Sequence, residues 1–183
     1  EKLKSGDVAG VAMRSKADGT AGSWPGGGFV FSNGGVIIQD GKCMLDSPEA
    51  IEAIHYYGTI LKEAGPLGVG NYHWYECLND YMQEVCAIGM DSSNFATDIE
   101  NPEKSNAAGH TTYGAMVSGP GKQAKPNMWH WMAGINSKSQ QKAAAFLFLT
   151  WANSKPTCLM SSALGLATTR TSAWESDGFK SAF

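Results

Sequence analysis

A proline between a serine and a glutamate marks the start of the best-defined helix in this chain. Ser47-Pro48-Glu49 supplies an N-cap, a proline at the first helical position and an acid in the first turn. Gly65-Pro66 stops the pattern. The apolar residues between these signals recur with helical spacing at Ile51, Ile54, Tyr57 and Leu61. The sequence therefore predicts a helix from about residue 48 to residue 64.

Short apolar runs on either side of this helix predict strands. Val8 to Met13 and Ala87 to Met90 each have the length of a buried strand, and the second run ends on Asp91. Val36-Ile37-Ile38 precedes Asp40-Gly41, which predicts a strand ending in a tight turn. Thr112 to Val117 is a further predicted strand.

Three more helices complete the pattern. The spacing of Leu78, Tyr81, Met82 and Val85 predicts one over residues 74–86. Helical signals over 140–153, stopped by Pro156, and over 157–164, stopped by Gly165, predict two others. Trp151 lies on the apolar stripe of the first of these, so we expect it in the core. Because strands alternate with helices, the predicted fold class is α/β.

The segment Gly19 to Gly28 holds five glycines and Pro25 around Trp24, which predicts a loop. Loops that carry a large aromatic side chain are frequently part of a working surface.

Charge and hydropathy argue against two classes of partner. The chain has 14 basic and 17 acidic residues, a net charge of −3, so no cationic excess exists to neutralise nucleic acid or an anionic membrane. Its longest apolar run, Ala143 to Ala152, is shorter than the roughly 18 to 20 residues of a membrane-spanning helix. We expect a soluble protein of 183 residues with a substantial core. Since it begins Glu1-Lys2 without a methionine or signal peptide, we expect a mature product or an excised piece.

The four cysteines, Cys43, Cys77, Cys86 and Cys158, do not form a zinc motif, and we expect buried free thiols. Cys77 and Cys86 would lie about 13.5 Å apart in a continuous helix, too far to bridge unless the helix ends between them. A disulfide stays open only for pairs other than Cys77 and Cys86. The glycine-rich stretches lack the spacing of a phosphate-binding loop, so no cofactor is predicted.

Catalytic motifs are absent from the sequence. The histidines form no metal-binding arrangement, and no G-x-S-x-G elbow exists. One enzymatic alternative stays open, a small carbohydrate hydrolase with two carboxyl groups about 5 to 10 Å apart. Asp91 would be one of them, and its candidate partners are Glu76, Glu84 and Asp98.

Aromatic and amide side chains are unusually placed. Trp24 lies in a glycine-rich segment, Trp129 and Trp131 flank His130, and Asn94-Phe95 follow Asp91. Sugars and polyols present C–H faces that pack on aromatic rings and hydroxyl groups that bond to carboxylates, amides and guanidinium groups. The set therefore suits a hydroxylated ligand. A purely structural module would instead bury all three tryptophans.

Several motifs, in this order, resemble the extracellular solute-binding proteins of ABC sugar importers, family 1, the maltose-binding-protein-like family. The motifs are Phe29 to Gly35 with Asp40-Gly41-Lys42, Asp46 to Ala53, Glu84 to Asp91, Val117 to Gly121, Gly134 to Leu147 and Gly165 to Arg170. Trp129-His130-Trp131 resembles members that take up polyols such as mannitol or sorbitol.

This resemblance implies one lobe of a two-lobed periplasmic-binding-protein-like (class II) fold, with residues 1–183 forming the second lobe and the first lobe and C-terminal helices absent. It implies a non-catalytic receptor without cofactors that binds a sugar or sugar alcohol between the lobes and docks on a membrane permease. A periplasmic or extracellular location is expected, with a lipoprotein tether as one form.

The resemblance also implies a ligand-binding set of eight residues. Trp24 and Trp129 would stack on the ligand, while Asp91 and Arg170 would bond to its hydroxyls and Asn94 would contribute an amide. The remaining members are Phe95, His130 and Trp131.

Overall fold

The structure is a computed structural model that describes residues 6–19 and 22–181. The chain divides into two compact units, Glu1–Met128 and Trp129–Phe183. Within the described ranges, every strand belongs to the first unit and the second is helical.

The first unit is built on a parallel pair of strands. β1 (Ala12–Met13) pairs with β4 (Gly89–Met90), with Ala12 opposite Gly89 and Met13 opposite Met90. A single parallel bridge between Ala9 and Cys86 continues the contact. Both predicted strands form, but their regular pairing is shorter than predicted because the Gly10 and Val11 amides bond to the Ala64 carbonyl instead.

The predicted tight turn is confirmed and joins a hairpin, but its first strand begins at Ile38 rather than Val36. β2 (Ile38–Gln39) pairs antiparallel with β3 (Lys42–Cys43). Asp40 and Gly41 join them with φ angles of 51° and 74°. Two consecutive positive φ values are typical of a hairpin turn of type I′, which Asp-Gly favours.

α1 (Gly27–Ser32) contradicts the loop predicted over Gly19 to Gly28, as does a π-helical turn at Gly22–Gly26. The apolar pair Phe29 and Val30 is buried in the core, and this burial outweighs the low helix propensity of glycine. Residues 20 and 21 of the predicted loop lie outside the described ranges.

α2 (Pro48–Ala64) has the predicted bounds. The Ser47 hydroxyl accepts a hydrogen bond from the Ala50 amide at 3.3 Å, so the capping prediction is confirmed. The predicted apolar stripe is confirmed at Leu61, which is buried, and at Tyr57, which packs against the core. It is wrong at Ile51 and Ile54, which are exposed while Ala50 and Ala53 are buried. A Cβ atom on Gly35 would lie 3.3 Å from the Ala50 nitrogen, so this approach requires small residues.

α3 (Trp74–Met82) begins as predicted but ends four residues before residue 86. Glu84 takes a left-handed conformation with φ of 58°, which a helix cannot continue through. The helix therefore ends between Cys77 and Cys86. All four cysteines are free thiols, as expected, but Cys43 is exposed rather than buried. Burial raises the pKa of both Cys77 and Cys86 to about 12.

Short elements complete the first unit. Single 3₁₀ turns occur at Val69–Asn71 and Ser93–Phe95, and α4 (Ala96–Ile99) follows the second. The strand predicted over residues 112–117 does not form: within the described ranges no strand pairs with this segment, and a lone strand leaves its backbone groups unbonded.

The second unit contains four helices in its described part: α5 (Lys142–Ala152), α6 (Lys155–Ala163), α7 (Thr171–Trp174) and α8 (Asp177–Lys180). The predicted stop at Gly165 is confirmed, since this residue follows α6 with a φ of 81°. Pro156 does not end a helix: α5 already ends at Ala152, and Pro156 lies in the first turn of α6, which the Ser154 hydroxyl caps.

α5 has no buried residue. Its apolar side chains, among them Phe146, Phe148 and Trp151, are exposed in the described chain. The prediction that Trp151 belongs to the core is therefore wrong here, because the described part of the second unit supplies no surface that covers this helix.

Candidate ligand-binding site

The ends of β1 and β4 create the candidate site in the first unit. Because the two strands are parallel, their carboxyl ends meet at one edge of the pair. Arg14 directly follows β1 and Asp91 directly follows β4. In α/β folds, ligands bind outside the carboxyl ends of the strands. We call the region around Arg14 and Asp91 the carboxyl edge.

A bidentate ion pair joins the two strand ends. The Arg14 Nε and Nη2 atoms each donate a hydrogen bond of 2.6 Å to the Asp91 carboxylate, one to each oxygen. The Arg14 and Asp91 side chains are only 5% and 8% exposed. Asp91 as a whole residue is exposed although its side chain is not, so the solvent reaches its main chain. Charges so far from water are tolerated when they are paired and hydrogen-bonded, and this geometry supplies both conditions.

The Asp91 carboxylate has little bonding capacity left. Besides the two Arg14 bonds, its Oδ1 atom accepts a 2.7 Å hydrogen bond from the Ser92 amide. A carboxylate has about four lone-pair sites, so these three bonds leave about one for a further donor. The carboxylate can accept one hydroxyl group without giving up a partner.

Trp24 lies against the same ion pair. The Arg14 guanidinium carbon is 4.5 Å from the centre of the Trp24 ring, a cation–π contact. The Asn127 side-chain amide donates to the Trp24 carbonyl at 3.2 Å, which fixes the backbone of this segment. The Trp24 side chain is half-buried, so part of its surface stays open.

The turn after Asp91 holds two more predicted residues. The Ser92 hydroxyl accepts a hydrogen bond from the Asn94 amide at 3.3 Å, which starts the 3₁₀ turn at Ser93–Phe95. Asn94 is exposed, and the Phe95 ring is stacked on Trp74 with 5.5 Å between ring centres. Four predicted residues of the first unit therefore belong to the carboxyl edge and its turn.

The second unit carries the other four predicted residues. The Trp129 and Trp131 rings meet edge to face at 6.3 Å and are 46% and 86% exposed. Their exposure disfavours a purely structural module. His130 between them is exposed, and the three residues lie in a segment without regular structure. Arg170, also exposed, precedes α7 and donates from Nε to the Asn153 carbonyl at 2.7 Å.

Two residues of the carboxyl edge are not among the sequence predictions, Arg14 and Trp74. Arg14 could have been found as the cation immediately after a buried apolar run, because that position is the carboxyl end of a predicted strand. Trp74 could have been found as an aromatic residue at the start of a predicted helix.

Two of the three carboxylates named as partners of Asp91 in a hydrolase have other contacts. Asp98 forms an ion pair with Lys104 at 2.7 Å, and Glu76 accepts a hydrogen bond from the His73 amide at 2.8 Å.

Across residues 6–19 and 22–181, no group of three or more His, Cys, Asp or Glu side chains is arranged to hold a metal ion. In the same ranges no helix has the length and apolar character to cross a bilayer.

The family model for bacterial extracellular solute-binding proteins matches residues 1–157. The chain belongs to this family. It is a family of solute-binding rather than catalytic proteins, so the prediction of a non-enzymatic protein agrees with the match.

Two relatives of this chain are named for the sugar alcohols that they bind. This chain is 26% identical over 111 residues to the erythritol/L-threitol-binding protein of Mycolicibacterium smegmatis. The alignment covers 61% of this chain and 23% of the relative. The chain is 30% identical over 107 residues to the mannitol-binding protein of Pseudomonas aeruginosa, covering 57% of this chain and 24% of the relative.

Solved structures of solute-binding proteins share the fold. Maltose-bound T. maritima MalE3 matches with a TM-score of 0.85 and 20% identity over 96% of this chain and 46% of the other. A ribitol complex of a solute-binding protein from Agrobacterium radiobacter K84 matches with a TM-score of 0.80 and 23% identity over 100% of this chain and 47% of the other. The chain thus spans about half of each of these structures, as predicted for one lobe, and its aligned stretches span about a quarter of the curated relatives.

Proposed function

We propose that this chain is part of the substrate-binding component of an ABC transporter and that it binds a sugar or sugar alcohol for uptake. The observation that carries the proposal is the carboxyl edge, where a buried Arg14–Asp91 pair lies against the half-buried Trp24. Such an edge offers a flat apolar surface for C–H groups and a carboxylate acceptor for a hydroxyl.

The charge balance of the edge supports an uncharged ligand. Arg14 and Asp91 neutralise each other through two bonds, so the pair presents no net charge to a bound molecule. A polyol needs no counter-ion and is recognised by stacking and hydrogen bonds, which this edge supplies. The names of the erythritol/L-threitol-binding and mannitol-binding relatives support the same ligand class.

The other four predicted residues, all in the second unit, stay predicted ligand contacts, and each is supported only by its own exposure. Trp129 and Trp131 offer exposed rings, and His130 and Arg170 offer polar groups. The other lobe of the protein and a membrane permease are the proposed partners, and the proposed location is the periplasm or the cell exterior, with or without a lipid anchor. The family description supports that location.

Calorimetric titration of the full-length protein with erythritol, ribitol, mannitol and maltose tests the proposal. We expect binding of at least one polyol, weakened about tenfold or more by Trp24→Ala or by Trp129→Ala, as is usual for a lost aromatic anchor. Trp174→Ala is the matched control, since Trp174 is also half-exposed but lies on α7. Absence of binding by all four compounds contradicts the proposal.

A further inference from the structure

Trp74 is a half-exposed aromatic residue at the first position of α3. Its ring is nearly parallel to that of Phe95, with 5.5 Å between centres and 26° between planes. Tyr75 meets it edge-on at 5.4 Å. One face of the Trp74 indole is therefore covered by a ring of the turn that follows Asp91, while 39% of the residue remains exposed.

The chain just before Trp74 is fastened to the segment that follows β1. The Ser15 and Lys16 amides both donate to the Tyr72 carbonyl at 3.0 Å, and the Ser15 hydroxyl donates to the Val69 carbonyl. His73 Nε2 lies 3.6 Å from the Asp18 carboxylate. These contacts hold Trp74 to the carboxyl end of β1.

The two sets of contacts place Trp74 at the carboxyl edge. The segment after β1 holds its backbone, and Phe95, in the turn after β4, holds its ring. Arg14 and Asp91, which join the same two strand ends, belong to the same edge. Trp24 contacts Arg14 of this ion pair, and Trp74 stacks on Phe95 in the turn that follows Asp91. The carboxyl edge therefore carries two separate indole rings.

We propose that Trp74 contacts the ligand and forms, backed by Phe95, a second aromatic surface of the site that Trp24 and Asp91 begin. The inference rests on the proposed function. The ligand class it implies is a neutral polyhydroxylated chain or ring with C–H groups in contact with both indoles.

The indole N–H group separates Trp74 from a tryptophan with a purely structural role. Trp174 is similarly exposed, at 40%, but its Nε1 donates to the Thr168 carbonyl at 2.7 Å. Among the residues that the structure describes, no acceptor bonds to the Nε1 atom of Trp74. This ring can therefore stack on a C–H face or donate to a ligand hydroxyl.

Rigidity of the ring favours binding. The Glu76 carboxylate accepts a hydrogen bond from the His73 amide at 2.8 Å, which fixes the first turn of α3 just where Trp74 begins it. With its backbone fixed and its ring stacked, Trp74 has little side-chain freedom to lose when a ligand binds.

The test uses full-length protein and the polyol that wild type binds best in the calorimetric panel. We expect Trp74→Ala to weaken binding about tenfold, Trp74→Phe to retain most of the affinity and Trp174→Ala to leave it unchanged. In protein labelled with 5-fluorotryptophan, the fluorine resonance absent from Trp74→Phe should shift on addition of that polyol.

Each outcome decides between the two proposals. Wild-type affinity in Trp74→Ala with an unmoved Trp74 resonance, while Trp24→Ala binds weakly, overturns this inference and leaves the proposed function intact. Absence of polyol binding by wild type overturns both. If Trp74→Ala does not fold, the affinity of Trp74→Phe and the fluorine shift decide alone: an unmoved resonance overturns the inference.

Discussion

The carboxyl edge of the first unit and helix α5 of the second unit differ in how completely their side chains are covered. At the edge, even a guanidinium group and a carboxylate are removed from water, and each has its partner. On α5, side chains as apolar as Phe146, Leu147 and Phe148 are exposed. A helix that is apolar on every side is ordinarily buried.

This difference shows which parts of the chain complete their own packing. The buried charges at the carboxyl edge neutralise each other, because Arg14 and Asp91 are hydrogen-bonded to each other within the first unit. The described second unit does not cover α5. The edge is thus preorganised, and a ligand that binds there does not need to order its central polar groups.

The largest effect is expected from Arg14→Ala. Removing one member of a buried ion pair leaves the other charge without compensation, so the free energy of unfolding of the first unit should fall by about 3–5 kcal/mol. Urea denaturation followed by circular dichroism measures this change.

The exposed pair between Lys104 and Asp98 is the control, since its 2.7 Å contact is nearly as short. Lys104→Ala should leave the urea midpoint unchanged, because water screens this pair. Similar losses in the two variants would mean that coverage does not distinguish the edge from an ordinary surface.

Leucine truncation compares the two regions directly. Leu61 on α2 is 9% exposed and Leu147 on α5 is 68% exposed. In this chain, Leu61→Ala should cost about 2–3 kcal/mol of stability through lost burial and the resulting cavity, and Leu147→Ala less than about 0.5 kcal/mol. Thermal unfolding and urea midpoints provide the measurement.

The same two variants in the full-length protein sharpen the comparison. A cost for Leu147→Ala that appears only there would show that the remaining protein covers α5. Equal costs for the two leucines in this chain would contradict the exposure of α5.

Local signals account for the parts of the fold that could be predicted. The bounds of α2 follow from Ser47, Pro48 and Gly65, and the Asp-Gly turn of the hairpin follows from residues 40 and 41, because each of these signals acts within a few residues. The position of Asp91 at a strand end could be predicted for the same reason.

Contacts between distant residues account for what could not be predicted. Arg14 and Asp91 are 77 positions apart, and no local pattern in a single sequence indicates that they pair. The burial of Ala50 in place of Ile51 depends on the approach of Gly35, and the helix at Gly27–Ser32 depends on where Phe29 packs. Tertiary packing overrides local propensity in these cases.

The smallest effect is expected from removing helix caps, and it isolates packing as the source of the difference between the two regions. Ser47 accepts from the Ala50 amide at 3.3 Å, and Ser154 accepts from the Thr157 amide at 3.4 Å. Both serines have extended backbones and precede helices with a proline in the first turn. Their local capping is therefore equivalent in the two units.

Ser47→Ala and Ser154→Ala should each cost about 1 kcal/mol in the unfolding transition of their own unit, as is usual for a lost N-cap. Hydrogen exchange of the first-turn amides of α2 and α6 follows each helix separately. A loss of protection in α2 alone would mean that the Ser154 cap does not stabilise α6. The two units would then differ in the stability of their helix starts as well as in side-chain burial. Comparable losses would leave side-chain coverage as the cause of the difference between the units, because the two helices would have equally effective starts and different surroundings.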